Sequence, residues 1–344
     1  MSRKDLGTGA HRSAAGLASP PMSAAPSTPP TRPFAPGSIS LRVYPADLPP
    51  DAVVADMRTQ ARLAEEGGFD GCMTSEHHGG FPNYLPNPLL AATWLLDATV
   101  RIWAAPCPLV LPLRPVSQVA EDLAWTHHRF PGRVGVGVCA GALPVDFEMA
   151  GVPFDEMFPR YRAALAELAA VLAGRAEGPL AHEPGVALLG AGQIPLVAAV
   201  QADKTTRRAA ELGVGVLYDS LQSLDRTRQL SDAFVEAGGT GPRILIRRAW
   251  IGPPPADNMA AQMDRYRGYA PARAVATWGE DDSLIAGADG PEVAERVHDA
   301  MVRAGCDVVN IRVFLAGLTP AQVHDQIRRH GEETVPRLRA LLGR

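Results

Sequence analysis

The stretch DAVVADMRTQARLAEEGGFDGCMTS (residues 51–75) contains a helical pattern followed at once by a β-rich run. Apolar side chains from Val54 to Ala64 recur at the spacing of one helix face, and the glycine pair at 67–68 supplies a C-terminal stop. The next run, GCMTS (71–75), is typical of a short strand. The stretch is therefore predicted to be one helix-to-strand unit of an α/β protein.

The same alternation continues from Ile39 to the end of the chain. Helical patterns such as RYRAALAELAAVLAG (160–174) separate the β-rich runs. The predicted strands are ISLRVY (39–44), GCMTS (71–75), VRIWAA (100–105), RVGVGV (133–138), IPLVAAV (194–200), GVGVLY (213–218), RILIRRAWI (243–251) and DVVNIRVF (307–314). Eight strands with helices between them predict a (β/α)8 TIM barrel, and an open doubly wound parallel sheet is the alternative.

Two intervals between predicted strands are longer than one helix needs. They follow strand 4 and strand 7, and they are predicted to hold insertions. The second interval, at 252–290, mixes prolines, glycines and aromatic residues, which is typical of a mobile lid over a barrel mouth. A purely structural excursion is the alternative.

Composition narrows the class of protein. The chain has 344 residues, of which 46% are hydrophobic and 20% charged, enough for a large core. A formal charge of -4 without basic clusters argues against nucleic-acid binding, and no apolar run is long enough to span a membrane. The four cysteines are far apart and suit a reducing cytoplasm. Residues 1–38, rich in Pro, Ala and Ser, are predicted to be a disordered leader to one domain at 39–344.

The motif TSEHHGG (74–80) carries the first candidate site, because Glu76, His77 and His78 follow the second predicted strand. Catalytic groups of barrel enzymes lie at this end of the strands. Neighbouring side chains on an extended chain point apart, which disfavours a shared metal ion. An imidazole titrates near pH ~6.5, so His77 is suited to proton transfer. The alternative is that both histidines belong to a loop and have no chemical role.

A longer set of motifs resembles the bacterial luciferase-like family of flavin-dependent monooxygenases. The set begins with the Glu-His-His motif and Asn87-Pro88. It continues with PLVLPLRPV (108–116), GRVGVGVCAG (132–141), DFEMAGVPF (146–154), IPLVAAVQADKTTRRAAELG (194–213) and NIRVFLAGLTPAQVHDQI (310–327). The order and the spacing are those of the family, and the resemblance covers residues 39–344.

The resemblance implies roles for residues of the first strands. His77 matches the family's catalytic histidine, which helps to form or break down the flavin C4a-oxygen adduct, and His78 and Glu76 are then its orienting partners. Cys139 matches a cysteine beside the flavin's reactive edge, although a small buried residue is an equally simple interpretation. The peptide bond between Cys107 and Pro108 matches a cis bond that faces the flavin, and a proline lowers the cost of a cis bond.

The residues that hold the flavin phosphate in the family match less well. Ala140 stands where relatives commonly have an arginine. Gln201, Ala202 and Thr205 match the start of the next phosphate-binding helix, whose N-terminus favours an anion. Asp203 would repel a phosphate unless it caps the helix. This departure predicts weak flavin binding, as in enzymes that receive reduced flavin from a separate reductase.

The sequence thus predicts a monooxygenase that uses reduced FMN and O2 to oxygenate a small organic substrate, with a separate flavin reductase as partner. One alternative is an oxidoreductase of the same fold that uses 8-hydroxy-5-deazaflavin, and another is a non-catalytic flavin-binding barrel. The chain has neither a Rossmann GxGxxG context nor a GxSxG elbow. The apolar segment NPLLAATWLLDAT (87–99) is predicted either to join two copies as a homodimer or to pack on its own barrel.

Overall fold

A computed structural model describes residues 31–270, 272–279 and 284–344. Its strands are β1 (Ile39–Arg42), β2 (Gly71–Thr74), β3 (Trp103–Pro106), β4 (Leu109–Val110), β5 (Val136–Cys139), β6 (Leu196–Val200), β7 (Gly215–Tyr218), β8 (Arg243–Ile251), β9 (Leu284–Gly287) and β10 (Val308–Arg312).

The helices that surround the strands are α1 (Pro50–Glu66), α2 (Pro88–Ala98), α3 (Val116–Arg129), α4 (Pro144–Ala150), α5 (Met157–Leu172), α6 (Pro184–Ala187), α7 (Asp203–Glu211), α8 (Leu224–Glu236), α9 (Ala256–Tyr269), α10 (Ala272–Val275), α11 (Gly290–Ala304), α12 (Pro320–Arg329) and α13 (Val335–Leu341). A π-helical turn at His330–Thr334 joins the last two.

All strand pairs between the named strands are parallel, and the order is β3-β2-β1-β10-β8-β7-β6-β5-β4. The two ends of this order belong to one piece of chain, because β4 directly follows β3. A bridge between Ala104 and Val134 also joins β3 to the chain that leads into β5. The sheet therefore forms a barrel. Counting β3 and β4 as one strand and setting β9 aside leaves eight barrel strands, so the predicted TIM barrel is confirmed and the open sheet is wrong.

Both predicted insertions lie where the sequence placed them. The first, between β5 and β6, holds α4, α5 and α6, and the second, between β8 and α11, holds α9, α10 and β9. The strand β9 was not predicted; it pairs with β8 from Arg248 to Ile251, beyond the part of β8 that lies between β7 and β10. Residues 271 and 280–283 of the predicted lid lie outside the described residues, and its mobility stays a prediction.

The lower end of the barrel is filled by Trp103. A Cβ atom at Gly71 would lie 2.0 Å from Cδ2 of this indole, so only glycine leaves room for the ring. Phe34 packs edge-on against Trp103 with ring centroids 5.1 Å apart and is buried. The prediction of a disordered leader is thus wrong for residues 31–38, because this ring closes the base of the barrel. Residues 1–30 of the predicted leader lie outside the described residues.

The apolar helix α2 packs on its own barrel through Leu89, Ala92, Leu95 and Leu96, which belong to the main core. This packing accounts for the apolar composition of 87–99, and the association of two copies stays a prediction. In the described part of the chain, none of the helices combines the length and the apolar composition that a membrane crossing requires.

The fully buried His330 in the π-helical turn makes stability depend on pH. Its Nε2 lies 3.2 Å from the carbonyl oxygen of Ala249, and its Nδ1 lies 3.0 Å from Oγ1 of Thr334. A carbonyl only accepts, so Nε2 carries the hydrogen and Nδ1 accepts from the Thr334 hydroxyl. Burial lowers the pKa of His330 to about 4.

We expect the free energy of unfolding to fall as the pH drops below about 6.5, because His330 then binds a proton in the unfolded chain but not in the folded protein. The contribution of this group falls by up to about 1.4 kcal/mol per pH unit until the pH nears its folded pKa. Urea unfolding of wild type and His330→Gln between about pH 7 and pH 5 measures this, with His128→Gln, a change at an exposed histidine, as control. Equal pH slopes for wild type and His330→Gln would contradict the assignment.

Candidate active site

Glu76, His77 and His78 lie directly after β2, at the carboxyl edge of the barrel, where the sequence predicts them. An isolated bridge pairs Glu76 with Leu85, and the backbone N–H of His77 donates to the carbonyl of Leu85 at 3.3 Å. These bonds fix the loop that continues the strand. The motif follows β2 at the carboxyl edge of the barrel, as predicted, while the roles of its side chains stay predictions.

The carboxylate of Asp146 holds both histidines. Its Oδ2 lies 2.9 Å from Nδ1 of His77, and its Oδ1 accepts the backbone N–H of His78 at 2.8 Å. Asp146 is fully buried at the start of α4. Because a carboxylate accepts, Nδ1 of His77 carries the hydrogen, and the other ring nitrogen, Nε2, is left for another partner.

Aromatic rings surround the imidazole of His77. The ring centroid of Phe81 lies 4.5 Å from that of His77, and the centroid of Tyr84 lies 4.6 Å from it on an edge-on ring. The side chain of His77 keeps 16% of its surface exposed. Little bulk water therefore reaches the imidazole, which is the environment that proton transfer to a bound ligand requires.

Glu76 points away from His77 and ties the loop to the barrel. Its Oε1 lies 2.8 Å from Nε2 of His78, its Oε2 accepts the backbone N–H of Val110 at 2.7 Å, and both oxygens accept hydrogen bonds from the guanidinium of Arg114. The carboxylate is fully buried, whereas the Arg114 side chain is 19% exposed. The imidazoles of His77 and His78 thus bind different carboxylates, and no group of three or more side chains that could hold a metal ion occurs within 31–270, 272–279 and 284–344.

The strands next to β2 bring the predicted flavin-facing residues to the same edge. The peptide bond between Cys107 and Pro108 is cis, so this prediction is confirmed. Cys107 is buried, and a Cβ atom at Gly137 would lie 2.2 Å from its Sγ. Burial, with a smaller contribution from Glu76, raises the pKa of Cys139 to about 12. The Cys139 thiol is therefore un-ionised, which fits the interpretation as a small apolar side chain.

The start of α7 lies beyond β6 on the same rim and is open to solvent. Its N-cap residue is Ala202, whose side chain cannot accept a hydrogen bond from the first turn. Asp203 is the first residue of the helix and not its cap, and its carboxylate pairs with Arg207 at 3.0 Å. The Oγ1 of Thr205 donates to the carbonyl of Ala202 at 2.8 Å, so its lone pairs point elsewhere. Asp203 therefore does not cap α7, which was the arrangement that would have kept its carboxylate from repelling a phosphate.

Two other residues reach this end of the site. Gln201 donates from its amide nitrogen to Oδ2 of Asp219 at 3.2 Å, and Arg226 of α8 lies 3.5 Å from the carbonyl oxygen of Gln201. Ala140 follows β5 and is partly exposed. The guanidinium of Arg226 is thus a cation near the start of α7 that was not predicted from the sequence.

Asp146, Arg114 and a layer of buried arginines inside the barrel were not predicted from the sequence. Asp146 lies within the motif DFEMAGVPF, and an acidic residue at the start of a short helix after a strand is the signal that could have identified it. The arginines are the second missed feature: Arg42, Arg248 and Arg312 interrupt β1, β8 and β10, which otherwise read as buried strands.

Comparison with known proteins agrees with this geometry. The family model for luciferase-like monooxygenases matches residues 34–337. The alkanal monooxygenase alpha chain of Photorhabdus laumondii is 32% identical over 120 residues, which are 35% of this chain and 33% of that protein. The chain therefore spans about a third of the length of this curated relative.

Solved structures with this fold include an enzyme in complex with FMN and an enzyme that depends on F420. The oxygenating constituent of 3,6-diketocamphane monooxygenase from Pseudomonas putida, in complex with FMN, has a TM-score of 0.67 at 17% identity and covers 88% of this chain and 98% of its own. An F420-dependent secondary alcohol dehydrogenase has a TM-score of 0.62 at 16% identity and covers 88% and 98%. These likenesses show a shared fold, and the match over residues 34–337 shows that the chain belongs to the luciferase-like monooxygenase family.

Proposed function

We propose that this protein uses reduced FMN and O2 to oxygenate a small organic substrate through an oxygen adduct at C4a of the flavin, with the reduced flavin supplied by a separate reductase. The observation that carries the proposal is the arrangement of His77. Its Nδ1 is fixed by the buried Asp146, and its other ring nitrogen, which has no hydrogen-bond partner among the described residues, can exchange a proton with a ligand.

The short side chains at the ends of β5 and β6 suit a flat ring system. Cys139, Ala140 and Ala199 at the ends of β5 and β6 have short side chains and are partly exposed. Such an apolar surface next to a few fixed polar groups is typical of cofactor sites. Bound there, a reduced flavin would supply the electrons for oxygen activation, while the protein would position the ring and exclude water.

The phosphate would lie at the start of α7. The uncapped N–H groups of its first turn and the cations of Lys204 and Arg226 are the groups available there, because the Thr205 hydroxyl already donates to the carbonyl of Ala202. Helix N-termini favour anions, but exposed cations contribute little. We therefore expect weak binding, which suits a flavin that arrives reduced and leaves oxidised.

One observation favours a second candidate. Ala140 replaces the arginine that FMN enzymes of this kind commonly present to the phosphate, and an F420-dependent dehydrogenase shares the fold. In an enzyme that uses 8-hydroxy-5-deazaflavin, His77 would handle a proton while a hydride moves to or from the ring. Oxygen would then take no part in the reaction.

An anaerobic titration with reduced FMN, and separately with oxidised and reduced 8-hydroxy-5-deazaflavin, distinguishes the candidates. We expect reduced FMN to bind, and oxygen uptake to rise when small organic substrates are screened in its presence. The matched variant Ala140→Arg is expected to bind FMN about tenfold more tightly, with unchanged affinity for riboflavin, which lacks the phosphate. Binding of the deazaflavin alone would support the second candidate, binding of FMN without turnover of any screened substrate would support a non-catalytic flavin-binding barrel, and binding of neither ring would contradict the proposal.

A further inference from the structure

The upper layer of the barrel interior contains three arginines on neighbouring strands. Arg248 of β8 pairs in register with Arg312 of β10, and Leu41 of β1 pairs with Ile311, so Arg42 follows beside Arg312. The exposed fractions of Arg42, Arg248 and Arg312 are 3%, 1% and 4%. Charged side chains are seldom this buried unless an opposite charge compensates them.

Neutral groups surround two of these guanidinium groups. Arg42 donates to the side-chain oxygen of Asn310 at 2.8 Å and to the hydroxyl of Ser75. Arg312 donates to the hydroxyl of Tyr266 at 2.6 Å and to the carbonyl of Phe314 at 3.4 Å. Among the residues that the structure describes, no carboxylate lies within ion-pair distance of Arg42 or Arg312.

A single buried guanidinium can be satisfied without an anion. Arg133, near the opposite end of the barrel, donates to the carbonyls of Ile102 and Leu96 and to the hydroxyl of Thr99. The upper layer differs because the like charges of Arg42 and Arg312 lie on neighbouring strands there, and each raises the cost of burying the other. An anion between them would remove that cost.

Tyrosine rings pack beside the arginine layer and connect it to His77. The guanidinium of Arg312 lies 4.5 Å from the ring centroid of Tyr44. The rings of Tyr44 and Tyr84 are 5.4 Å apart, and Tyr84 is the ring whose centroid lies 4.6 Å from that of His77. The arginine layer and the imidazole are therefore linked by contacting tyrosine rings, so a ligand that binds the arginines can reach toward His77.

Tyr266 of α9 contacts the arginine layer. Its hydroxyl accepts hydrogen bonds from Arg312 and, at 2.9 Å, from Gln262. Burial alone would raise the pKa of Tyr266, but Arg312 and Arg248 lower it to about 8. The place next to Arg312 thus stabilises a negatively charged oxygen.

We propose that the organic substrate carries a carboxylate, which binds Arg312 and Arg42 in place of the Tyr266 hydroxyl and directs the rest of the molecule toward His77. The inference rests on the proposed function for the reaction itself. A guanidinium pairs with a carboxylate through two parallel hydrogen bonds, and aromatic walls favour a flat or unsaturated substrate.

The phosphate of FMN is the other source of an anion, but it fits this place less well. The N–H groups at the start of α7 follow β6, which the strands β7 and β8 separate from β10. A phosphate held at α7 therefore lies across the barrel from Arg42 and Arg312.

Isothermal titration calorimetry of the full chain without flavin tests the proposal, with benzoate as the probe and the neutral benzamide as its isostere. We expect benzoate to bind at least about tenfold more tightly than benzamide, and Arg312→Met to abolish that difference. Arg133→Met, which removes another buried guanidinium elsewhere, is the matched control and should leave benzoate affinity unchanged.

A second variant gives an effect of opposite sign, which misfolding cannot imitate. Tyr266→Phe removes the hydroxyl that competes for Arg312, so benzoate should bind about fivefold more tightly. Equal binding of benzoate and benzamide by the wild type would overturn the proposal. Loss of FMN binding but not riboflavin binding in Arg312→Met would also overturn it, by assigning the arginine to the phosphate. Because benzoate binding needs no flavin, a failure of the proposed function would appear separately, in the flavin titration.

Discussion

Replacing His77 by glutamine is expected to lower turnover by a factor of about 10² to 10⁴, the usual contribution of a positioned acid or base. Glutamine retains a polar side chain of similar length but cannot exchange a proton near neutral pH. The loss should appear in kcat, whereas the affinity for the cofactor, measured by titration, should change little. The substrate for this measurement is one found in the oxygen-uptake screen.

Two variants make the His77 experiment specific. His128→Gln removes an imidazole that lies on α3 and contacts the carbonyl of Gly185, so it should keep full activity. Asp146→Asn tests positioning: His77 and His78 use different oxygens of the carboxylate, and the amide replaces one of these with an NH2 group that only donates, so the pH profile of kcat should shift. Wild-type turnover by His77→Gln with cofactor bound would refute the assignment.

Replacing Glu76 by alanine is expected to destabilise the protein by about 3–5 kcal/mol, the usual cost of removing one partner of a buried ion pair. The variant leaves the guanidinium of Arg114 without its carboxylate and the N–H of Val110 without its acceptor. Urea unfolding monitored by circular dichroism measures the change, and Glu76→Gln, which keeps the shape of the side chain, should lose less.

A double-mutant cycle separates the ion pair from the other contacts of Glu76. If the pair with Arg114 dominates, adding Arg114→Met to Glu76→Ala should cost less than the sum of the two single variants. A loss below about 1 kcal/mol in Glu76→Ala would place this carboxylate among ordinary surface ion pairs and contradict its structural role.

The strands and the insertions could be predicted from the sequence because their signals are local. Each barrel strand is a short apolar run, and the spacing between runs indicates where extra elements fit. The strand β9 was missed because LIAG (284–287) lies between turn-rich segments and is only partly buried. Phe34 was assigned to the leader because its burial depends on Trp103, far along the chain.

The candidate site was predictable only in part, for the opposite reason. The Glu-His-His motif is a local signal at a strand end, but Asp146 is 69 residues from His77, and only the fold brings them together. The buried arginines were visible as charges within β-rich runs. Their proximity follows from the register of β1, β8 and β10, which no single segment of sequence reveals.

The insertion after β8 leaves and rejoins the barrel at one place. The chain departs after Ile251, and Gly287 of β9 pairs with that same residue, while Gly252 donates its N–H to the carbonyl of Gly287 at 2.8 Å. A loop whose ends are already joined can change length at little entropic cost to the rest of the fold. The chain that carries Tyr266 can therefore change in sequence and length during evolution while the eight inner strands stay the same.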